Sequence, residues 1–499
     1  MKKAKSTSNV KFTPKNSECK QQGANSPKFN GNLHVVNPVC AGLDMHKEKI
    51  WVCTSNDLKS SGKPSVRTFD TDTPSLRGLA SFLKDGGVTT VALESTGVYW
   101  MPTFTVLREA GLNPVLINPS DTKRISGRPK TDREDCIWIC RLHRFGLLRA
   151  SFVPDSRIAA IKELLTARAN FQKAKSTTIQ KMNDALVKMN FRLDVILSDI
   201  TGKSGEAVLA AIVEDGVLEP SRLYNLLDTK VRRKWPRQRI LNWLDGIFSE
   251  QSLAVLKLLH RQYRQDVANL EAVNAEILKF LESLPKKEDR ANLPPPPKGY
   301  REYGMDFPVE LRPVLFEIFG KDLTVIPGVG ANLLLTLVAT VGTDLSAWPD
   351  ARHFVSWLCL TPVANVSAGF SKPAHTQKGG NTLTNAFRMA AMAAKKTKTF
   401  IGRSARVLAS RVLPKKARVA VARKLATLVF NSLKFGRRLD IWTEEEYEER
   451  ARKHREERFR RQLTGYMQTA ESRQLLLDMI DECLGAAGNA NHMKRTVLA

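Results

Sequence analysis

The chain has 499 residues, with 78 Lys+Arg against 50 Asp+Glu and a formal net charge of +28. A hydrophobic content of 42% excludes wholesale disorder and suffices for roughly three packed domains, while the charge calls for a polyanionic partner. The longest apolar stretch, Leu333 to Val341, is too short to span a bilayer, which speaks against a membrane partner, and seven scattered cysteines suit a reduced, cytoplasmic protein.

Residues 1–38 hold seven Lys against Glu18 alone, lack a hydrophobic period and read as a disordered basic tail. From Val39 the pattern turns α/β. Strands are predicted over Val39–Leu43, Lys49–Thr54, Val66–Asp70, Thr90–Leu93 and Pro114–Ile117, and helices over Ser75–Lys84, Tyr99–Ala110 and Thr131–Phe145. Three strands in hairpin-like succession, followed by helix, strand, helix, strand and helix, are compatible with a mixed-sheet, RNase H-like domain over residues 39–150.

Residues 151–284 read as a helical, oligomerising region. Ile179, Met182, Leu186, Met189, Leu193 and Ile196 draw an apolar seam along one helix. A second seam runs through Leu256, His260, Tyr263, Val267, Leu270, Asn274, Ile277, Leu281 and Leu284, at the spacing of a coiled coil with Asn274 as register-setter; intramolecular helix packing is its alternative. The Gly202-Lys203-Ser204 run lacks the first glycine and preceding strand of a phosphate loop, and reads as the start of a helix over Glu206–Val213. Residues 285–320 form a proline-rich linker, residues 321–440 a mainly helical C-terminal domain, and residues 441–499 a charged helical tail.

Between Asp350 and Asp440 there are eighteen Lys and Arg and no acid, which marks a nucleic-acid surface. Inside it, Ser367-Ala368-Gly369 sits in a small-residue stretch with Lys372, Lys378 and, on the next helix, Arg388, so a serine hydroxyl could be presented to a phosphodiester. Just upstream, Pro327-Gly328-Val329-Gly330 is either a plain turn or a turn whose main-chain N–H groups approach a phosphate.

Four acids of the N-terminal domain form a candidate set. Asp44 and Glu94 end predicted strands, and Asp132 and Asp135 lie three apart at a helix start, on one face. Single acids at such places are usually caps; together they make a hard-oxygen cage for Mg²⁺, with Arg124, Arg128, Lys130 and Arg133 alongside for phosphates. Cys136 and Cys140 have no second ligand pair and read as core.

Gly42-Leu43-Asp44, Glu94-Ser95-Thr96-Gly97, Lys130 to Asp135, Ile326 to Gly330, Leu360-Thr361-Pro362, Ser367-Ala368-Gly369 and Lys378 to Asn381 occur in this order. The order resembles the DEDD-type insertion-sequence transposases, bridge-RNA-guided recombinases with a Holliday-junction-resolvase-like N-terminal domain. The resemblance covers about residues 39–440. It implies a metal-binding tetrad of Asp44, Glu94, Asp132 and Asp135, and Ser367 as a nucleophile that forms a phosphoserine link to DNA, with Ser371 its rival. It further implies target and donor DNA and a structured guide RNA as partners, and a dimer or tetramer that joins the two domains of different protomers. Cys359 stands where that family often has Gly. Two other readings stay open: a metal-dependent junction nuclease that cuts with water, and a non-catalytic RNA- or DNA-binding protein.

Overall fold

A computed structural model describes residues 34–59, 63–94, 97–119, 122, 131–302, 306–363, 366–367, 370–371, 375–376 and 380–466, with 474–475, 478–479 and 482 beyond. Most of the basic tail, together with Arg124, Arg128, Lys130, Lys372 and Lys378, lies outside the described residues. The chain divides after Val153 into two compact units.

In the first unit five strands form one mixed sheet: β1 (Cys40–Met45), β2 (Lys49–Thr54), β3 (Arg67–Asp70), β4 (Thr90–Glu94) and β5 (Asn113–Ile117), in the order β3-β2-β1-β4-β5. β2 runs antiparallel to β1 and β3, whereas β1, β4 and β5 are parallel, with Leu43 opposite Leu93 and Glu94 opposite Ile117. Helices α1 (Thr73–Asp85), α2 (Trp100–Glu109) and α3 (Asp132–Arg144) complete the unit, so every predicted element forms with ends shifted by no more than two residues.

Alternation along β1 sorts its side chains. Ala41, Leu43 and Met45 join Leu79, Leu83, Leu93 and Leu107 in the core beneath α1 and α2. Cys40 faces the other way, toward Cys136 and Cys140 of α3, where Cys53 completes a buried thiol-rich cluster. Burial raises the Cys136 thiol well above its ordinary range, so Cys136 acts as a small apolar group.

His143 near the end of α3 is 5% exposed and shares a 3.0 Å hydrogen bond with Thr90 Oγ1. Burial pushes its pKa down from 6.5 to about 4. The unfolded chain takes up this proton near 6.5 while the folded chain does not, so stability is lost as the pH falls through that window. The loss reaches about 3 kcal/mol at pH 4. Urea midpoints followed against pH should therefore drop more steeply below pH 6 in the parent than in His143→Gln.

The second unit is built on two 33-residue helices, α4 (Ser156–Lys188) and α10 (Glu250–Glu282). They pack as an antiparallel pair: Arg168 Nε donates to Asn274 Oδ1 at 2.7 Å and Thr178 Oγ1 donates to Asp266 Oδ2 at 2.9 Å, so one number falls as the other rises. The expected oligomerising seam on α10 is therefore filled within one chain. Leu256, Leu270, Asn274, Ile277 and Leu281 are at most 2% exposed, and Asn274 is spent on Arg168 and on the carbonyl of Asp306. His260 meets Glu206 at 3.0 Å. Intramolecular packing, the alternative reading, describes this seam.

The first seam also differs from expectation. Asn190 takes a left-handed φ of 53° and ends α4, so Leu193–Ile196 forms a separate short helix, α5. Four further helices, α6 (Lys203–Val213), α7 (Pro220–Leu226), α8 (Thr229–Lys234) and α9 (Arg237–Leu244), close over a core of Phe191, Leu209, Leu223, Ile240 and Leu244. Gly205 explains the Gly-Lys-Ser run: a Cβ there would strike the Ile200 carbonyl, so this is a tightly packed helix start.

The remaining helices are α11 (Leu311–Phe319), α12 (Ala331–Val341), α13 (Ala351–Trp357), α14 (Thr382–Ala394), α15 (Phe400–Arg411), α16 (Pro414–Phe435) and α17 (Glu444–Tyr466). The acid-free stretch acquires counter-charge from α17: Arg406 pairs with Glu444 at 2.6 Å and Arg403 with Glu448 at 2.7 Å. Among the described residues no helix is long and apolar enough to cross a membrane.

Candidate active site

Asp44 sits on β1, 8% exposed, on the face covered by α3. That helix starts where Thr131 Oγ1 accepts from the Glu134 N–H at 3.3 Å, and Asp132, Glu134 and Asp135 in its first turn oppose the positive end of the helix dipole. Gly42 lets the helix approach. A Cβ at position 42 would collide with the Cys140 main-chain nitrogen and lie 2.7 Å from the Cys136 carbonyl oxygen. Only glycine leaves room for the α3 backbone against β1, and that approach delivers Asp132 and Asp135 to Asp44.

Gly42→Ala is accordingly expected to cost about 1–3 kcal/mol in overpacking. The same push on α3 should lower activity about a hundredfold through misplaced carboxylates. Denaturant midpoints and cleavage rates of one preparation would check both.

His46 Nε2 lies 3.2 Å from Asp44 Oδ2 and 3.2 Å from Asp132 Oδ1, and the ligand atoms of these three residues all fall within 4.8 Å of one another. Burial, above all, raises the Asp44 pKa; His46 opposes the rise, while the nearby Asp135 and Asp132 add to it. A carboxylate pushed up in this way calls for a positive charge beside it, and the Asp-His-Asp donor set suits a divalent cation.

Glu94 follows Leu93, the partner of Leu43, at the end of β4; its Oε2 accepts from Thr122 Oγ1 at 3.2 Å. The compact donor group thus joins Asp44 and Asp132 through His46, with Asp135 in electrostatic reach and Glu94 on the neighbouring strand. His46 escaped sequence reasoning. Its signal is a position two beyond Asp44, which repeats the strand's side-chain direction. Arg133 is partly committed to structure, because its Nη2 donates to the Pro64 carbonyl at 2.7 Å.

In the second unit the serine stretch folds as two nested ladders. β6 (Pro362–Val363) pairs with β9 (His375–Thr376), and inside them β7 (Val366–Ser367) pairs with β8 (Phe370–Ser371). Ser367 is opposite Phe370, and Ser371 opposite Val366. Cys359, just before this arm, holds a φ of 53°, a region that favours glycine. Past the arm, Asn381 caps α14 with a reciprocal Thr384 bond, and Arg388 Nη1 reaches Asn385 Oδ1 at 3.4 Å.

Gly328 has φ +83°, and its Cβ position points at the Ala390 carbonyl of α14, so packing accounts for this glycine. Gly330 precedes α12 with open space where its Cβ would be. Both line a cleft of about 930 Å³ with Lys162, Arg168, Arg301 and Asn385.

The mixed sheet carries Asp44 and Glu94, the covering helix carries Asp132 and Asp135, and the Asp44–His46–Asp132 group suits a divalent cation. Residues 41–191 match the DEDD transposase family model of the IS110 group, and residues 320–404 match a second model, described as "Transposase IS116/IS110/IS902 family". Both matched segments are thus similar to transposases of the IS110 group. It is also 34% identical over 86 residues to "Putative transposase y4qE" of Sinorhizobium fredii (strain NBRC 101917 / NGR234). That match covers 17% of this chain and 22% of the relative, so the chain spans about a fifth of the length of the curated relative it matches.

Proposed function

We propose that the protein is a DNA transposase and recombinase of an insertion sequence, cutting and exchanging strands through a serine–DNA link. The observation that carries this is the convergence of Asp44, His46 and Asp132 in a chain matched by both transposase models. The first unit acts as an RNase H-like domain. Asp44, Asp132, Asp135 and Glu94 hold a divalent cation, Mg²⁺ in our reading, which when bound neutralises charge on the scissile phosphate.

The Ser367 hydroxyl attacks phosphorus, giving up its proton to a base. A bond from Ser367 oxygen to phosphorus forms, the bond to one sugar oxygen breaks, and that sugar leaves as a hydroxyl. The energy of the phosphodiester stays in the protein–DNA link, so the freed hydroxyl of another strand can reverse the step and rejoin DNA. A structured guide RNA reads target and donor sequence by base pairing, as the acid-free run of eighteen cations leads us to expect. The protein works as a homo-oligomer, dimer or tetramer, on cytoplasmic, nucleoid DNA.

The deciding experiment incubates the full chain, with whatever RNA copurifies, with end-labelled branched DNA and Mg²⁺, followed by denaturing electrophoresis. Cleaved strands carrying protein support the reading. Cleaved strands free of protein would assign the water-cutting nuclease instead, and binding without any cleavage would assign a non-catalytic binder.

A further inference from the structure

The stretch from Thr229 to Leu244 carries Lys230, Arg232, Arg233, Lys234, Arg237 and Arg239 and no acid. It lies between the two segments that the family models match. Among the described residues none of these six cations has a carboxylate partner; α8 and α9 instead park four of them over aromatic rings. The Arg239 guanidinium is 5.0 Å from the Trp235 ring centre and 4.9 Å from that of Trp243, and the two indoles meet edge to face at 5.3 Å. Arg232 and Arg237 sit 5.7 and 5.3 Å from the Tyr224 ring, and Lys234 5.7 Å from Trp235.

The rings are anchored. Tyr224, Trp235 and Trp243 pack against the buried cluster that holds Leu223, Ile240 and Leu244. Of the cations above them, Lys234, Arg237 and Arg239 are exposed and Arg232 is half-buried, with Arg233 exposed beside them. A guanidinium over an indole has its face satisfied, while its N–H edge still wants an acceptor. Six like charges within sixteen residues repel one another, and cation–π contacts orient them without neutralising them. The chemistry that completes such a cluster is a row of anionic oxygens spaced along a polymer, with flat groups able to stack on guanidinium planes.

We propose that α7–α9 form an additional nucleic-acid site that grips a phosphodiester backbone through Arg237, Arg239 and Arg232, preorganised on Tyr224, Trp235 and Trp243. The site rests on no step of the cleavage chemistry. RNA and DNA share this backbone, so the test carries one arm for each.

Full-length protein and Arg237→Ala/Arg239→Ala are titrated by fluorescence anisotropy with a single-stranded RNA of about 30 nucleotides and a duplex DNA of about 30 base pairs, at about 50 to 200 mM salt. The double variant should bind its probe about tenfold more weakly. The log affinity against log salt slope should become shallower by about 1.4 on single-stranded RNA or about 1.8 on duplex DNA, two contacts' worth. The probe that shows the change names the ligand. The charge-preserving double variant, Arg237→Lys/Arg239→Lys, should restore the slope.

An unchanged slope on both probes overturns the proposal. So does a fall in unfolding temperature with the slope intact, which would make the cations staples of the helix cluster. Equal loss of binding to a polyglutamate probe would assign an acidic protein instead and overturn it as well. Cleavage is scored separately, on the parent protein: no protein-linked product from the parent, with the slope change present in the double variant, defeats the recombinase reading alone.

Discussion

Asp44→Asn is expected to lower strand cleavage by about three orders of magnitude while leaving DNA affinity near the parent value. Asparagine keeps the shape of the side chain but removes the charge that faces His46, which in turn lies 3.2 Å from Asp132. Without it, the donor group loses its most buried oxygen ligand, and a cation there meets one carboxylate fewer. The carboxylate is also a burden to the fold: burial and the repulsion of Asp135 and Asp132 raise its pKa. In divalent-free buffer, Asp44→Asn should therefore unfold at the same temperature as the parent or a higher one. Activity lost with stability kept or gained marks a residue held for chemistry. Single-turnover cleavage of a labelled junction, paired with thermal melts, measures both; cleavage at the parent rate would remove the carboxylate set from the mechanism.

Ser367→Ala should abolish the denaturant-resistant protein–DNA adduct and reduce strand exchange about a thousandfold or more, as removal of a nucleophile does in covalent catalysis. Ser371→Ala should keep the adduct. The register supports a difference between them, because Ser367 pairs with Phe370 and Ser371 with Val366 in the β7–β8 ladder. The two serines occupy different pairs of a short arm. An adduct that persists in Ser367→Ala and disappears in Ser371→Ala would transfer the role. Cleavage that persists in both, without adduct, would leave water as the nucleophile.

Much of the first unit was open to sequence reasoning because its signals are local. Alternation in Lys49–Thr54 and the apolar run in Thr90–Leu93 define strands, and Leu76, Leu79, Ala80 and Leu83 supply the buried stripe of α1. Acids at the ends of such elements stand out against an apolar frame. His46 did not, since a lone histidine two residues after an acid is common. Its meaning comes from Asp132, 86 positions further along, reaching the same point. The seam on α10 shows the opposite failure. Its period was plain, but a 3.5-residue repeat does not say whose helix fills it, and Arg168 and Thr178 of the same chain do.

Charge followed the same division. Sequence established +28, an acid-free stretch and a candidate set of four site acids elsewhere. It could not show that Glu444 and Glu448 would neutralise Arg403 and Arg406, nor that cations of α8 and α9 would sit over aromatic rings with no carboxylate partner among the described residues. Sequence by itself determined the elements, their order and the kinds of chemistry available, because periodicity and residue type act over a few positions. Tertiary structure alone decided which groups meet. Gly42 shows the physical reason: a missing Cβ means nothing until a helix 90 residues later packs into the space it leaves, and that contact brings Asp132 to Asp44.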